Sequence, residues 1–160
     1  MDRIDKRKTP VGSSAAVRSW VAGVLDAGLR VVASRTYHPR AAQLQVYLRA
    51  DEEVLREVRD VLDARGTIRK QGSSYVLAFT MEEAYELYND VAPVMRSAAR
   101  EWLRVAAAWS ALSPGKGRSS GMSDETVEQR GRLLDELSGL KAEAGVDVDE
   151  DGAAAAEEEE

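Results

Sequence analysis

The feature that most restricts how this 160-residue chain can fold is a change in hydrophobic periodicity that occurs twice along it. Between residues 15 and 26 the apolar side chains recur at helical spacing, whereas between residues 42 and 49 apolar and polar side chains alternate. The apolar members of the second segment all face one way, which is the pattern of a half-buried antiparallel strand. A helical pattern returns at residues 51–65, and a second pair of short strands follows it at residues 67–80.

Local signals set the expected ends of these elements. Gly28 is placed to end the first helix in a left-handed conformation. Asp51 is expected to cap the second helix, and Gly66 is expected to end it. Thr80 and Glu83 have the spacing of a capping box, which opens a third helix.

The remainder of the chain is predicted to be helical apart from a linker and a tail. Pro93 is expected to begin a longer helix in which Trp102 and Trp109 share an apolar stripe and belong to the core. The whole pattern predicts an α+β fold of order αββαββα with an extra C-terminal helix. By composition the chain divides into a basic arm (1–12), the αββαββα domain (13–112), a flexible linker (113–122), the C-terminal helix (123–142) and a disordered acidic tail (143–160).

The net charge of −6 is distributed unevenly along the chain. Residues 143–160 contain nine acids and no base, which leaves 22 bases against 19 acids and a net charge of +3 in residues 1–142. The body of the protein is therefore mildly basic, which is compatible with a polyanionic partner.

Composition excludes several classes of site. Without cysteine the chain has no disulfide, thiolate metal site or cysteine nucleophile, and His38, the single histidine, cannot build a histidine metal site or triad. The longest nearly apolar run, Trp20–Leu29, is too short to cross a bilayer, and the first residues lack the apolar stretch of a secretion signal. We therefore expect a cytoplasmic protein without a membrane partner, associated with the nucleoid if it binds DNA.

Residues 20–28, with the sequence WVAGVLDAG, resemble the motif helix of the LAGLIDADG homing endonucleases. The later segments follow in the order of that family: a strand, a turn that contains Pro39, an alternating strand, a helix that ends near Gly66 and a second hairpin. The resemblance covers residues 15–112. It implies a saddle-shaped αββαββα domain whose concave sheet lies in the major groove of double-stranded DNA.

In this family a chain with a single motif forms a homodimer through its motif helices. The resemblance therefore implies a dimer interface that includes Ala22, Gly23 and Ala27, which are small enough for two helix backbones to approach closely. Two-fold pairing also implies a DNA target that is palindromic or nearly so.

Alternation along the strands predicts which side chains face the DNA. Glutamine and arginine have the donor and acceptor geometry to read adenine and guanine edges, and arginine also neutralises phosphates. The predicted DNA-facing set consists of Arg30, Ser34, Thr36, Gln43, Gln45, Tyr47, Arg49, Thr67, Arg69 and Ser74. Val32, Val76 and Ala78 share this face and offer only apolar contacts to thymine methyl groups.

The sequence departs from the family pattern where the chemistry is expected. The family holds divalent metal ions, such as Mg²⁺, with a carboxylate near the end of each motif helix. Gly28 occupies that position, or, with one residue deleted, it is the final glycine of the motif and the acid is absent. Ala98 stands where a lysine usually follows the later proline. Asp26 is left as the candidate for a catalytic or metal-binding residue.

These departures lead to three hypotheses about function. The first is a LAGLIDADG-like DNA-binding protein without cleavage activity or cofactor, such as a regulator or a decaying product of a mobile element. The second is an active Mg²⁺-dependent endonuclease in which Asp26 or Asp63 supplies the carboxylate. The third is a protein-interaction module, in which the acidic tail mimics nucleic acid or the apolar stripe of the last helix binds a partner.

Overall fold

The computed structural model describes residues 14–33, 42–112 and 123–145. These residues confirm the predicted α+β order αββαββα and the extra C-terminal helix. The elements are α1 (Ala15–Gly28), β1 (Leu29–Ala33), β2 (Leu44–Ala50), α2 (Glu52–Leu62), β3 (Ile68–Gln71), β4 (Ser74–Phe79), α3 (Met81–Asp90), a 3₁₀ turn (Ala92–Val94), α4 (Ala99–Ala111) and α5 (Asp124–Glu143). The predicted basic arm, the linker and residues 146–160 of the tail lie outside the described residues, as do Ser34, Thr36 and His38.

The four strands form one antiparallel sheet in the order β1-β2-β4-β3, so that β1 and β3 are its edges. Val31 of β1 pairs with Val46 of β2, and Leu48 of β2 pairs with Leu77 of β4. All four side chains are buried. Because side chains alternate along a strand, one face of the sheet is apolar and packs against the helices.

The core lies between this apolar face and the helices. Leu25 of α1, Leu55 of α2 and Leu103 of α4 are completely buried in it. Trp102 and Trp109 are 5% and 3% exposed, which confirms their predicted place in the core. Within the described ranges no helix combines the length and the apolar character that crossing a membrane requires.

Gly28 has a different role from the one predicted. It is the last residue of α1, but its φ is not positive, so it does not end the helix by a left-handed turn. A Cβ on Gly28 would lie only 2.2 Å from the carbonyl oxygen of Arg49 in β2. Glycine is needed at this position because the strand backbone passes so close to the helix end.

The end of α2 also differs from the prediction. The left-handed residue that ends α2 is Asp63, with a φ of 56°, and not Gly66. In the described residues the other positive φ angles belong to Gly72, in the turn between β3 and β4, and to Gly145. At Gly66 the absence of a side chain leaves room for the carbonyl oxygen of Ala78. A Cβ at this position would lie 2.3 Å from that oxygen.

The prediction that a helix begins at Pro93 is wrong, since Pro93 lies in the 3₁₀ turn and α4 begins at Ala99. Between them Met95 is extended, with a ψ of 154°. The backbone N–H groups of residues 96–97 donate to the side chain of Asp26 instead of to a helix. Because these N–H groups bind a side chain of α1, the helix does not include residues 96–97 and α4 begins only at Ala99.

Two buried cations attach α5 to the rest of the domain. Lys141 is 1% exposed, and its Nζ donates a hydrogen bond of 2.7 Å to the carbonyl oxygen of Val31 in β1. Arg130 is 6% exposed and donates a hydrogen bond of 2.6 Å to the carbonyl oxygen of Ala42. The Arg130 guanidinium also lies 4.0 Å from the ring centre of Trp109, a favourable cation–π geometry. The helix is thus an integral part of the domain.

The apolar stripe of α5 faces its own chain. Leu137 is 3% exposed, and Leu133, Leu134 and Leu140 are partly buried against the core. The hypothesis that this stripe binds a partner is therefore wrong, because burial within the domain already stabilises it.

Candidate nucleic-acid interface

The face of the sheet that points away from the core carries mostly polar side chains, and we call it the open face. Its members alternate with the core residues along each strand. They are Arg30, Val32, Gln45, Tyr47, Arg49, Arg69, Gln71, Ser74, Val76 and Ala78. The structure thus brings together on one surface six of the residues that alternation had predicted to face DNA: Arg30, Gln45, Tyr47, Arg49, Arg69 and Ser74.

A groove of about 400 Å³ runs across the open face. Gln45, Thr67 and Arg69 line it, and all three side chains are exposed. Gln43, just before β2, is exposed as well. The groove therefore presents polar side chains to solvent on the open face.

Gln71 also belongs to this surface, although the predicted DNA-facing set does not include it. Its Oε1 accepts a hydrogen bond of 2.7 Å from Nη2 of Arg49. The bond passes from β2 to β3 over β4, in which Val76 pairs with both Arg49 and Arg69. Arg69 and Gln71 are two residues apart on β3, so the alternation of side chains along a strand predicts that they share a face. A guanidinium held in this way loses less conformational entropy when it binds.

Tyr47 departs from its predicted role as a DNA contact. It lies on the open face, but it is only 3% exposed and forms a small apolar cluster with Val32 and Val76. Burial of an aromatic ring against two β-branched side chains is favourable by the hydrophobic effect. In the free protein Tyr47 therefore supports the surface and is not available to a base.

Charge is separated between the sheet and the helices. The four strands contain four bases, Arg30, Arg49, Arg69 and Lys70, and no acid. The five helices contain 16 acids and eight bases. Such segregation favours a positive electrostatic potential over the sheet and a negative one over α2, α3 and α5, the three helices in which acids outnumber bases.

The acids are most crowded on α3. Burial raises the pKa of Glu86, and the neighbouring charges of Glu82, Asp90 and Glu83 raise it further. Asp63, the predicted alternative source of a catalytic carboxylate, lines a groove of about 570 Å³ with Glu82, Glu83 and Glu86. This acidic groove lies between α2 and α3, and the described residues do not bring Asp63 together with Asp26 in a metal-binding group.

Asp26 binds the loop that precedes α4. Its carboxylate accepts hydrogen bonds of 3.1 and 2.9 Å from the N–H of Arg96, 2.9 Å from the N–H of Ser97 and 2.8 Å from the Ser97 hydroxyl. Both oxygens are thus engaged in joining the end of α1 to the start of α4. Charge-assisted bonds of this kind are stronger than neutral ones.

The end of α1 does not fit a divalent metal ion. The Asp26 carboxylate is occupied by the four contacts above, and position 28 has no room for any side chain. Ala98, which replaces the expected lysine, is exposed and has no polar group to offer. In the part of the chain that the structure describes, no group of three or more histidine, aspartate or glutamate side chains is placed to hold a metal.

One side of α1 is exposed and made mostly of small residues. Its members are Ala16, Trp20, Gly23 and Ala27. Trp20, one of the apolar residues that recur at helical spacing between residues 15 and 26, is 38% exposed. A Cβ on Gly23 would meet no atom within 4 Å. Ala22 was predicted to belong to a dimer interface, but it is 2% exposed because it faces the core with Leu25.

Two comparisons find no match: no family model fits this sequence, and no curated protein is significantly similar to it. Solved structures are similar in fold. The homing endonuclease I-CvuI, in complex with the I-CreI target, is 16% identical, with a TM-score of 0.57 over 77% of this chain and 80% of the other. The archaeal intron-encoded homing endonuclease I-Vdi141I, complexed with DNA, is 18% identical, with a TM-score of 0.60 over 77% and 82%.

The I-CvuI complexes were obtained with 2 mM Mg, where the DNA is not cleaved, and with 2 mM Ca. At these identities the similarity shows the fold. The fold that the LAGLIDADG resemblance implied is therefore confirmed.

Proposed function

We propose that this chain, which has the fold of the LAGLIDADG homing endonucleases, binds double-stranded DNA through its open face and does not cleave it. The observation that carries the proposal is the open face itself, a sheet surface with exposed polar side chains, three arginines and no acid. Solved proteins of the same fold are complexes with DNA. A duplex-binding protein of this kind acts as a regulator of the site it occupies, or is a remnant of a mobile element.

The spacing of the arginines supports this proposal. Arg49 and Arg69 flank Val76 in one row across the sheet, which places their backbones about 10 Å apart at two strand spacings. Arg30 lies one strand further along, beside Tyr47. A major groove is about 12 Å wide, so these side chains suit both base edges and the flanking phosphates.

The end of α1 supports the part of the proposal that concerns the absence of cleavage. An active nuclease needs a carboxylate that is free to bind a metal ion, whereas the Asp26 carboxylate holds residues 96–97. Position 28 cannot supply one, because the Arg49 carbonyl oxygen fills the space of a side chain.

The same proposal includes a homodimer through α1. Trp20, Gly23 and Ala27 leave one side of that helix apolar and open to solvent. Small residues let two helices approach closely, and an exposed tryptophan gains by burial between them. Two open faces would then lie side by side over one duplex.

The direct test is duplex binding at several salt concentrations. The wild-type affinity is expected to fall with a slope of about −0.9 per phosphate neutralised in a log–log plot. Replacing Arg30, Arg49 and Arg69 by glutamine should weaken binding by at least about tenfold and flatten this slope. The matched control replaces three exposed helix arginines, Arg56, Arg100 and Arg132, and should change affinity by less than about threefold.

Equal losses in the two triple variants, or no binding at low salt, would contradict the proposal. Mg²⁺-dependent nicking of the best-bound duplex would contradict the absence of cleavage. Sedimentation of the same samples tests the dimer. Two chains should bind each duplex in the wild type and in a Gly139→Arg control, but one chain in Gly23→Arg, since both glycines are open to solvent and only Gly23 lies on α1.

A further inference from the structure

The last turn of α5 is attached to the edge strand β1 through a buried lysine. Lys141, in the last turn of α5, donates a hydrogen bond of 2.7 Å to the carbonyl oxygen of Val31 in the edge strand β1. Val31 is next to Arg30 of the open face. The described chain ends at Gly145, four residues beyond Lys141. The last described residue is thus only four positions along the chain from a side chain that contacts the edge strand of the sheet.

The length of the acidic segment 146–160 matches the distances on the open face. Fifteen residues span up to about 50 Å when extended. The four strands of the sheet cover about 15 Å from edge to edge. Residues 146–160 are thus long enough to reach every arginine of the open face from the end of α5.

Charge favours the open face over the surfaces of α2, α3 and α5, in which acids outnumber bases. Residues 146–160 contain eight acids and no base. Taken together, the helices hold 16 acids and eight bases, whereas the strands carry only positive charge. A tether of this length also holds the acids at a local concentration of the order of millimolar.

We propose that residues 146–160 bind the open face of their own chain and compete with duplex DNA for Arg30, Arg49 and Arg69. The contact is autoinhibitory, and its effect on DNA rests on the function proposed above. It lowers affinity for all duplexes and leaves the open face accessible to those that make enough additional base contacts to displace the acids. Weak, non-specific binding is suppressed most, because it depends on phosphate charge alone.

The test uses the full chain with Glu157, Glu158, Glu159 and Glu160 replaced by glutamine. Its matched control neutralises four exposed helix acids, Glu53, Glu57, Asp60 and Asp135, and so has the same net charge. Without DNA, the NMR signals of the Nε–H groups of Arg30, Arg49 and Arg69 should shift in the tail variant and stay in place in the control. With DNA at low salt, the tail variant should bind about fivefold more tightly, and the control less than about twofold.

Unmoved arginine signals in the tail variant would overturn this inference, and so would an equal gain in affinity in the control. Signals that shift while no variant binds a duplex would support the contact and overturn the proposed function instead. Signals that depend on protein concentration would assign the acids to the open face of a second copy, which would also overturn the contact within one chain.

Discussion

The open face and the end of α1 differ in how their polar groups are used. On the open face Gln45 and Arg69 are exposed along a groove of about 400 Å³. At the end of α1 the Asp26 carboxylate is bound by the loop before α4, and a strand backbone fills the space beside Gly28. A recognition surface retains affinity when some of its contacts are lost. A metal centre needs several ligands at one point, so it tolerates fewer changes than a recognition surface does.

The strongest test of this contrast is the variant Gly28→Asp, which places a carboxylate at the position where the family pattern has one. Its Cβ would lie 2.2 Å from the Arg49 carbonyl oxygen, so unfolding free energy should fall by at least about 3 kcal/mol. Gly139→Ala in α5 is the matched control, because a Cβ there meets no atom within 4 Å and the position lies outside the proposed dimer interface; it should be neutral or stabilising by up to about 1 kcal/mol. Chemical denaturation measures both. A stable Gly28→Asp protein would show that the helix end is not closed.

A smaller effect is expected from Asp26→Asn, which keeps the shape of the side chain and removes its charge. Weaker bonds to Arg96 and Ser97 should lower the unfolding free energy by about 2 kcal/mol. Asp60→Asn, at an exposed position of α2, should change it by less than about 0.5 kcal/mol. The affinity for DNA should stay the same in both. If Asp26→Asn left stability unchanged, the carboxylate would not be committed to the loop.

The smallest effect concerns the acidic helices that contrast with the basic sheet. The pKa of Glu86 is raised in the folded protein, so the folded state holds the proton of this carboxyl group more tightly than the unfolded state does. Stability therefore falls as the pH rises from the ordinary glutamate pKa of 4.5 through the raised value. Glu86→Gln removes that fall. Since Glu86 is largely exposed, the gain near pH 7 should be only about 0.3 kcal/mol, with none near pH 3. Thermal melts at the two pH values measure it, and about 1 M salt should reduce the gain.

Periodicity and local caps predicted the fold because both act between neighbouring residues. The capping box of Thr80 and Glu83 is present, with bonds of 2.9 and 3.0 Å. Alternation placed Arg49 and Arg69 on one face, since the two-residue period of a strand leaves no other arrangement.

The parts that sequence reasoning missed depend on contacts between distant segments. Asp26 meets Ser97, which lies 71 residues further along the chain, so no local pattern reveals that its carboxylate is occupied. Local turn chemistry predicts a left-handed conformation at Gly28, whereas glycine is required there because the backbone of β2 passes so close. Trp20 fits the helical spacing of the core residues, yet it lies at the edge of the buried side and remains 38% exposed.

The attachment of α5 has a consequence for how this protein can change over generations. Lys141 and Arg130 hold main-chain oxygens, at Val31 and Ala42, and every amino acid supplies such an oxygen. Substitutions in the strand next to the helix therefore leave these two anchors intact as long as the backbone keeps its path. The neighbouring position 30 is free to vary, so new binding preferences can evolve at that edge without the cost of losing the helix.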